Sequence, residues 1–180
     1  MFIERLKKRV HALRREQKGA TAVEFALVAS VFFLIMLGIL ELGIMLILSN
    51  GLDDATADLA RMVRTGQIYK QGFNQEQAKR YICGQLPFGG SCRDKLLLDI
   101  RTYPDFASMR PPTPPRRDSS GNVRFPENFQ PGNPKQVVLV RAFYRWKFFT
   151  PMVGKVMSNF GNNEFLLSSV AVFRNEPYTR

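Results

Sequence analysis

Glu24 stands at the start of a long apolar run, five residues after Gly19, with Ala20 before it and Phe25 directly after it. A carboxylate in such a setting does chemistry by needing a partner. A charge at the centre of a membrane helix costs about 2.5–3.5 kcal/mol even on lenient insertion scales, less near the interface, and a nearby cation relieves it. Cys83 and Cys92 are the only cysteines, with eight residues between them and Gly84, Pro87, Gly89 and Gly90 easing the chain reversal. Outside the cytoplasm an even pair at this spacing most simply forms a disulfide; two free thiols are the other reading. Two cysteines do not make a structural zinc site, and no histidine lies near them. The single histidine, His11, falls in a basic leader. The sequence has no glycine-rich phosphate loop, metal-ligand cluster or nucleophile elbow. Carboxylate pairs occur in any chain and carry no specificity without a pocket. No catalytic, cofactor-binding or metal-binding residue is expected, so the chain reads as a non-enzyme.

The element that positions Glu24 is the run Phe25 to Leu48, 24 residues broken only by the charge of Glu41. As a helix it measures about 36 Å, enough to cross a hydrocarbon core of about 30 Å with some tilt. A helix satisfies every backbone amide internally, as lipid demands. Apolar residues on every face argue against a buried helix of a soluble protein. Glu41 follows Glu24 by 17 residues. That spacing sets the two about 100° apart around the axis, so they are not expected to form one site. Glu41 is expected near the outer interface, with a contact to a partner subunit as the alternative.

Charge is distributed by region. Residues 1–19 carry seven Lys/Arg against two Glu, residues 20–50 carry only the two acids, and residues 51–180 carry nineteen Lys/Arg against eleven acids. Arg5, Lys7, Lys8, Arg9, Arg14, Arg15 and Lys18 precede the span, while Asp53, Asp54 and Asp58 follow it. The positive-inside rule then leaves residues 1–19 in the cytoplasm and residues 51–180 outside it. A cleaved secretory signal is the competing reading, with Ala55-Thr56-Ala57 as its small-x-small site. The apolar run is too long for it and the site lies too far beyond. The excess positive charge of residues 51–180 reads first as a solvated basic surface, next as a surface for anionic headgroups or an acidic partner. No nucleic-acid module accompanies it, and no nucleic-acid partner is expected.

The junction Arg14-Arg15-Glu16-Gln17-Lys18-Gly19-Ala20-Thr21-Ala22-Val23-Glu24-Phe25 resembles the prepilin cleavage motif of type IV pilin-like proteins. More narrowly, the chain resembles the TadE-like pseudopilins, minor components of tight-adherence (Flp-type) pilus systems. Three stretches carry this: Gly19 to Val28, Ala60-Arg61-Met62-Val63-Arg64-Thr65-Gly66-Gln67, and Phe173-Arg174-Asn175-Glu176-Pro177-Tyr178. The resemblance implies cleavage by a membrane-embedded prepilin peptidase between Gly19 and Ala20. Glu24 becomes the fifth residue of the mature chain and neutralises the new amino terminus of a neighbouring subunit. Ala20 departs from the phenylalanine that opens many classical type IV pilins, whereas Phe25 suits the Flp-associated class.

Beyond the span, Leu52, Ala55, Leu59, Met62 and Val63 recur at helical spacing, predicting that the helix continues to a stop at Gly66. A second helix is expected from Asn74 to Leu86, capped by Asn74, with Tyr81, Ile82 and Leu86 available to the core. Strands are expected at Leu96 to Tyr103, Gln136 to Phe149 and Phe165 to Arg174, with a helix between Pro151 and Phe160. In the first strand Leu96, Leu98 and Ile100 share one face, with Asp99 and Arg101 on the other. In the second, Val138, Val140, Ala142, Tyr144, Trp146 and Phe148 oppose Arg141, Arg145 and Lys147. The fold class is α+β, a long amino-terminal helical spine packed against a small antiparallel, pilin-like sheet. The organisation is a leader at 1–19, a transmembrane helix at 20–50 and an extracytoplasmic domain at 51–180. Within that domain 105–135, rich in Pro, Gly and Asn, reads as a flexible loop.

These readings combine into a minor pseudopilin assisting assembly of a tight-adherence pilus. Small residues Ala26, Ala29, Ser30 and Gly38 permit close helix packing. Its partners are the prepilin peptidase, other pilins and pseudopilins, the assembly machinery and membrane lipid. Its place is the bacterial inner membrane, single-pass with a cytoplasmic amino terminus, or the pilus itself. Two alternatives stay open: an uncleaved, membrane-anchored envelope protein whose periplasmic domain binds a partner, and an exported binding module released near Ala57.

Overall fold

The computed structural model describes residues 17–87 and 91–178. Arg5 to Arg15 and His11 of the basic leader, and Gly89 and Gly90, lie outside the described residues. Contacts divide the chain at Leu40/Glu41 into two compact units.

One helix, α1 (Gln17–Arg64), runs for 48 residues. Up to Leu40 it is apolar and exposed almost all round, with Phe25 the extreme at 74%. From Glu41 the pattern changes. Met45, Leu48, Leu52, Ala55, Leu59 and Val63, spaced three and four apart, are buried on one face. Leu46 and Ile47 remain exposed on another. The helix continues past Gly51 and ends just before Gly66, whose φ of 75° suits a residue without a Cβ.

A short helix α2 (Gln67–Lys70) follows, then α3 (Gln75–Gln85). The expected cap on α3 is present and reciprocal. The Asn74 side chain accepts from the Gln77 N–H at 2.9 Å, and the Gln77 side chain accepts from the Asn74 N–H at 2.7 Å. Ile82 and Leu86 are buried and Tyr81 half-buried against the core, as their spacing predicts. A turn of helix, α4 (Cys92–Lys95), leads into the sheet.

The sheet has three long or medium strands, β1 (Leu96–Tyr103), β5 (Val137–Lys147) and β6 (Glu164–Arg174), within a residue or two of their expected bounds. Both pairings, β1 with β5 and β5 with β6, are antiparallel. Three two-residue strands lie in the stretch read as a loop: β2 (Arg116–Arg117), β3 (Val123–Arg124) and β4 (Asn128–Phe129). β2 and β3 form a separate hairpin, while β4 joins the edge of β1 in parallel, giving the order β4-β1-β5-β6. The sheet is thus mixed, an antiparallel body with a short parallel edge. Helix α5 (Pro151–Met157) connects β5 to β6, with proline at its first turn.

The core lies between the carboxy-terminal half of α1, with α3, and one face of the sheet. Leu96, Leu98 and Ile100 of β1 and Val138, Val140, Ala142 and Tyr144 of β5 supply that face. The opposite face of β5 is covered as well, since Val137, Leu139, Arg141 and Phe143 are also buried. Pro112 and Phe125 lie against it. Arg141 sits over the rings of Phe125 and Phe143 at 5.5 and 5.6 Å, and donates to the Pro112 carbonyl at 2.7 Å.

Candidate anchoring and assembly site

Gly19, Ala20, Glu24 and Phe25 occupy the opening turns of α1 and are all exposed. A Cβ placed on Gly19 would meet nothing within 4 Å, so the backbone there is open to an approaching protein. Ala26 accepts a hydrogen bond from the Ser30 hydroxyl at 2.7 Å, one turn on, which satisfies that hydroxyl within the helix itself. Exposed apolar residues on every side need a non-aqueous surrounding. Among the described residues one helix, within Gly19–Arg64, is long and apolar enough to cross a membrane.

Glu41 is fully buried, and its partners lie far along its own chain. Its two carboxylate oxygens accept from the Phe149 N–H at 2.6 Å and the Thr150 N–H at 3.0 Å. These amides stand at the entrance to α5, where Thr150 is the N-cap residue and its own side chain makes no capping bond. A carboxylate from another helix thus does the capping, and it also matches the positive end of the α5 turn. Sequence reasoning found Glu41 as an anomaly in an apolar run but not its partner 108 residues on. Thr150-Pro151 marks the helix start but does not show that its amides take their acceptor from another helix.

The disulfide between Cys83 and Cys92 is formed, with Cα atoms 5.7 Å apart. It ties the end of α3 to the first residue of α4, directly ahead of β1. A second tie closes the far end of the spine. The Glu176 N–H donates to the Arg64 carbonyl at 3.0 Å, the last residue of α1, and the two side chains pair at 3.4 Å. Tyr178 packs its ring against Gly66, where a Cβ would collide with it. Two stretches singled out in the sequence, Ala60 to Gln67 and Phe173 to Tyr178, therefore meet in the fold.

Asp99 and Arg141 form a buried pair at 2.6 Å, with Arg101 on the other carboxylate oxygen at 2.8 Å. Glu127 accepts from the Leu98 N–H at 3.0 Å and pairs with Lys79 at 2.6 Å. Glu127 thus fastens its segment to β1 and α3, while Asp99 holds the two arginines that donate to the Pro112 and Pro126 carbonyls. Among the described residues no three His, Cys, Asp or Glu side chains gather as a metal site.

The molecule is thus defined by a single exposed apolar helix continuous with the spine of an α+β domain, a layout that fits a single-pass membrane anchor. Residues 19–61 match the family model described as TadE-like protein. The chain therefore carries a TadE-like segment, which spans the Gly19–Phe25 junction and runs along α1 almost to its end. No curated protein and no solved structure matches the chain.

Proposed function

We propose that this chain is a minor pseudopilin of a tight-adherence pilus, cut after Gly19 by a prepilin peptidase and assembled through α1. The observation that carries the reading is the TadE-like match over residues 19–61, which begins at Gly19 itself and includes Glu24. The exposure of the Gly19–Phe25 turns supports it, because both a peptidase and a neighbouring helix need that surface. Cleavage makes Ala20 the new amino terminus, a cation at the membrane face. Glu24 of one subunit and the terminal ammonium of the next then neutralise each other where either alone would be penalised. Residues 51–180 lie outside the cytoplasm, consistent with the disulfide. Partners on this reading are other pilins, pseudopilins and the assembly machinery, and the role is one of packing rather than catalysis.

Intact mass and amino-terminal sequencing of the protein from native membranes test the proposal. A chain beginning at Ala20 is expected. A chain still beginning at Met1, with the peptidase present and active, would sink the processing step and leave a fixed anchor.

A further inference from the structure

The capping of α5 by Glu41 sets the height of that helix along the spine. Glu41 stands seven residues before Leu48, where the apolar run ends, so it lies about 10 Å short of that end along the axis. Its hydrogen bonds to the Phe149 and Thr150 amides hold the start of α5 at this same level. The β5–α5 connection is therefore fixed beside the last turns of an apolar helix and not out on the distal part of the domain.

The outer surface of this connection is apolar in a pattern. Phe149, Met152 and Val156 follow each other at three- and four-residue spacing and are 57%, 60% and 83% exposed. Lys147 and Lys155, before and among them in the chain, are exposed. Between that level and the end of the run, Leu46 and Ile47 of α1 expose their side chains too. Three large apolar side chains facing water would be a liability. A short segment in which exposed apolar side chains and lysines stand close together suits the boundary between acyl chains and headgroups. There the lysine stems run along the apolar zone and the ammonium groups reach the phosphates.

We propose that residues 147–157 form a foot resting in the outer face of the bilayer, with Phe149, Met152 and Val156 in lipid and Lys147 and Lys155 at anionic headgroups. This rests on the reading of α1 as a membrane span. The foot gives the domain a second attachment beside the span, so that Glu41 transmits the seating of α5 to the spine. Rotation of the domain about the helix axis is then restricted before any neighbour arrives.

The test uses the full chain in vesicles of phosphatidylethanolamine and phosphatidylglycerol, with or without bromine on the upper acyl chain. Trp146 is the only tryptophan, so a Trp146→Phe background accepts single probes: Met152→Trp in the foot, Phe32→Trp in the span and Gln71→Trp on the exposed end of α2. Brominated lipid is expected to remove most of the emission at positions 152 and 32 and to leave that at 71 unchanged. Loss at 32 with none at 152, and iodide in the buffer quenching 152 as it does 71, would overturn the foot while keeping the span. Protection of 152 from both lipid bromine and iodide would assign the surface to another protein copy and overturn it as well. No loss at 32 would remove the span and the foot together. Should a substitution prevent folding, the unmodified chain gives the same answer. Trp146 packs on Phe149 with ring centroids 6.3 Å apart, and it must then lose emission to brominated lipid for the foot to stand.

Discussion

Asp99 and Glu41 show how much a single acid can hold when it is buried against the right donors. Asp99 is fully buried between Arg141 and Arg101. An Asp99→Ala variant leaves the buried Arg141 without its counter-charge. Breaking one side of a buried pair in this way costs about 3–5 kcal/mol, and chemical denaturation of the domain should read a loss of that size. Replacing Asp99 and Arg141 together by apolar residues should cost much less. Glu41→Leu keeps the helix and its apolar character but strips the Phe149 and Thr150 amides of their acceptor. Each amide left unsatisfied costs about 1–3 kcal/mol. Hydrogen exchange at those two amides should accelerate sharply while exchange in β1 stays slow. Unchanged protection at both would show that the carboxylate does not hold the turn.

At the scale of elements, two local devices secure the segments that periodicity alone leaves loose. The Cys83–Cys92 bond closes a short loop between α3 and α4. Loop-closure reasoning assigns it about 2–3 kcal/mol. A Cys83→Ser, Cys92→Ser variant should unfold earlier by that amount, and a reductant should lower the stability of the native chain but not of the variant. The β2–β3 hairpin turns on Asp118, which accepts from the Ser120 and Asn122 amides at 3.0 and 2.9 Å and from Arg124 at 2.8 Å. The Asn122 backbone bond is the main cause holding its carboxyl below the usual 3.8, with Arg124 and Ser120 adding to it. A depressed carboxyl stabilises the folded turn above its unfolded value and loses that contribution as pH falls through the folded one. The Ser120 and Asn122 amides should therefore keep their protection at pH 5 and lose it only below about pH 3.8. Loss beginning near neutral pH would contradict the assignment.

For the whole molecule, the decisive contrast lies within α1. Its first half offers apolar surface in every direction, whereas from Glu41 onward one face is taken up by its own domain. A chain built this way can insert by hydrophobicity alone, and the proposed function adds that Glu24 places it in a filament. Glu24→Ala should leave membrane insertion and folding of the domain intact and reduce incorporation into the pilus. Cell fractionation together with pilus counts by electron microscopy measures both. Normal piliation would remove Glu24 from assembly.

Much of this architecture was legible in one dimension because its signals are local. A 24-residue apolar run is long enough for a helix that could cross a membrane. Period-two alternation located β1, β5 and β6, and Asn74 followed by Gln77 marked the start of α3. The Gly19–Glu24 spacing pointed to the TadE-like segment that the family match covers. What alternation could not show is that β5 is buried on both faces from Val137 to Tyr144. Alternation puts Arg141 and Arg145 on the face opposite the apolar residues, yet Arg141 is buried because the segment that carries Pro112 and Phe125 folds back against it. That segment has no periodicity. It is held by the Glu127–Lys79 ion pair and by Arg141 and Arg101, which donate to its Pro112 and Pro126 carbonyls, partners far away along the chain. The same holds for Glu41 with Phe149 and for Arg64 with Glu176. Hydrophobic period and local capping are written between near neighbours, so the sequence by itself determined the apolar helix, the spine and the strands. Which buried charge meets which distant backbone depends on how those elements pack, and only the tertiary structure decided that.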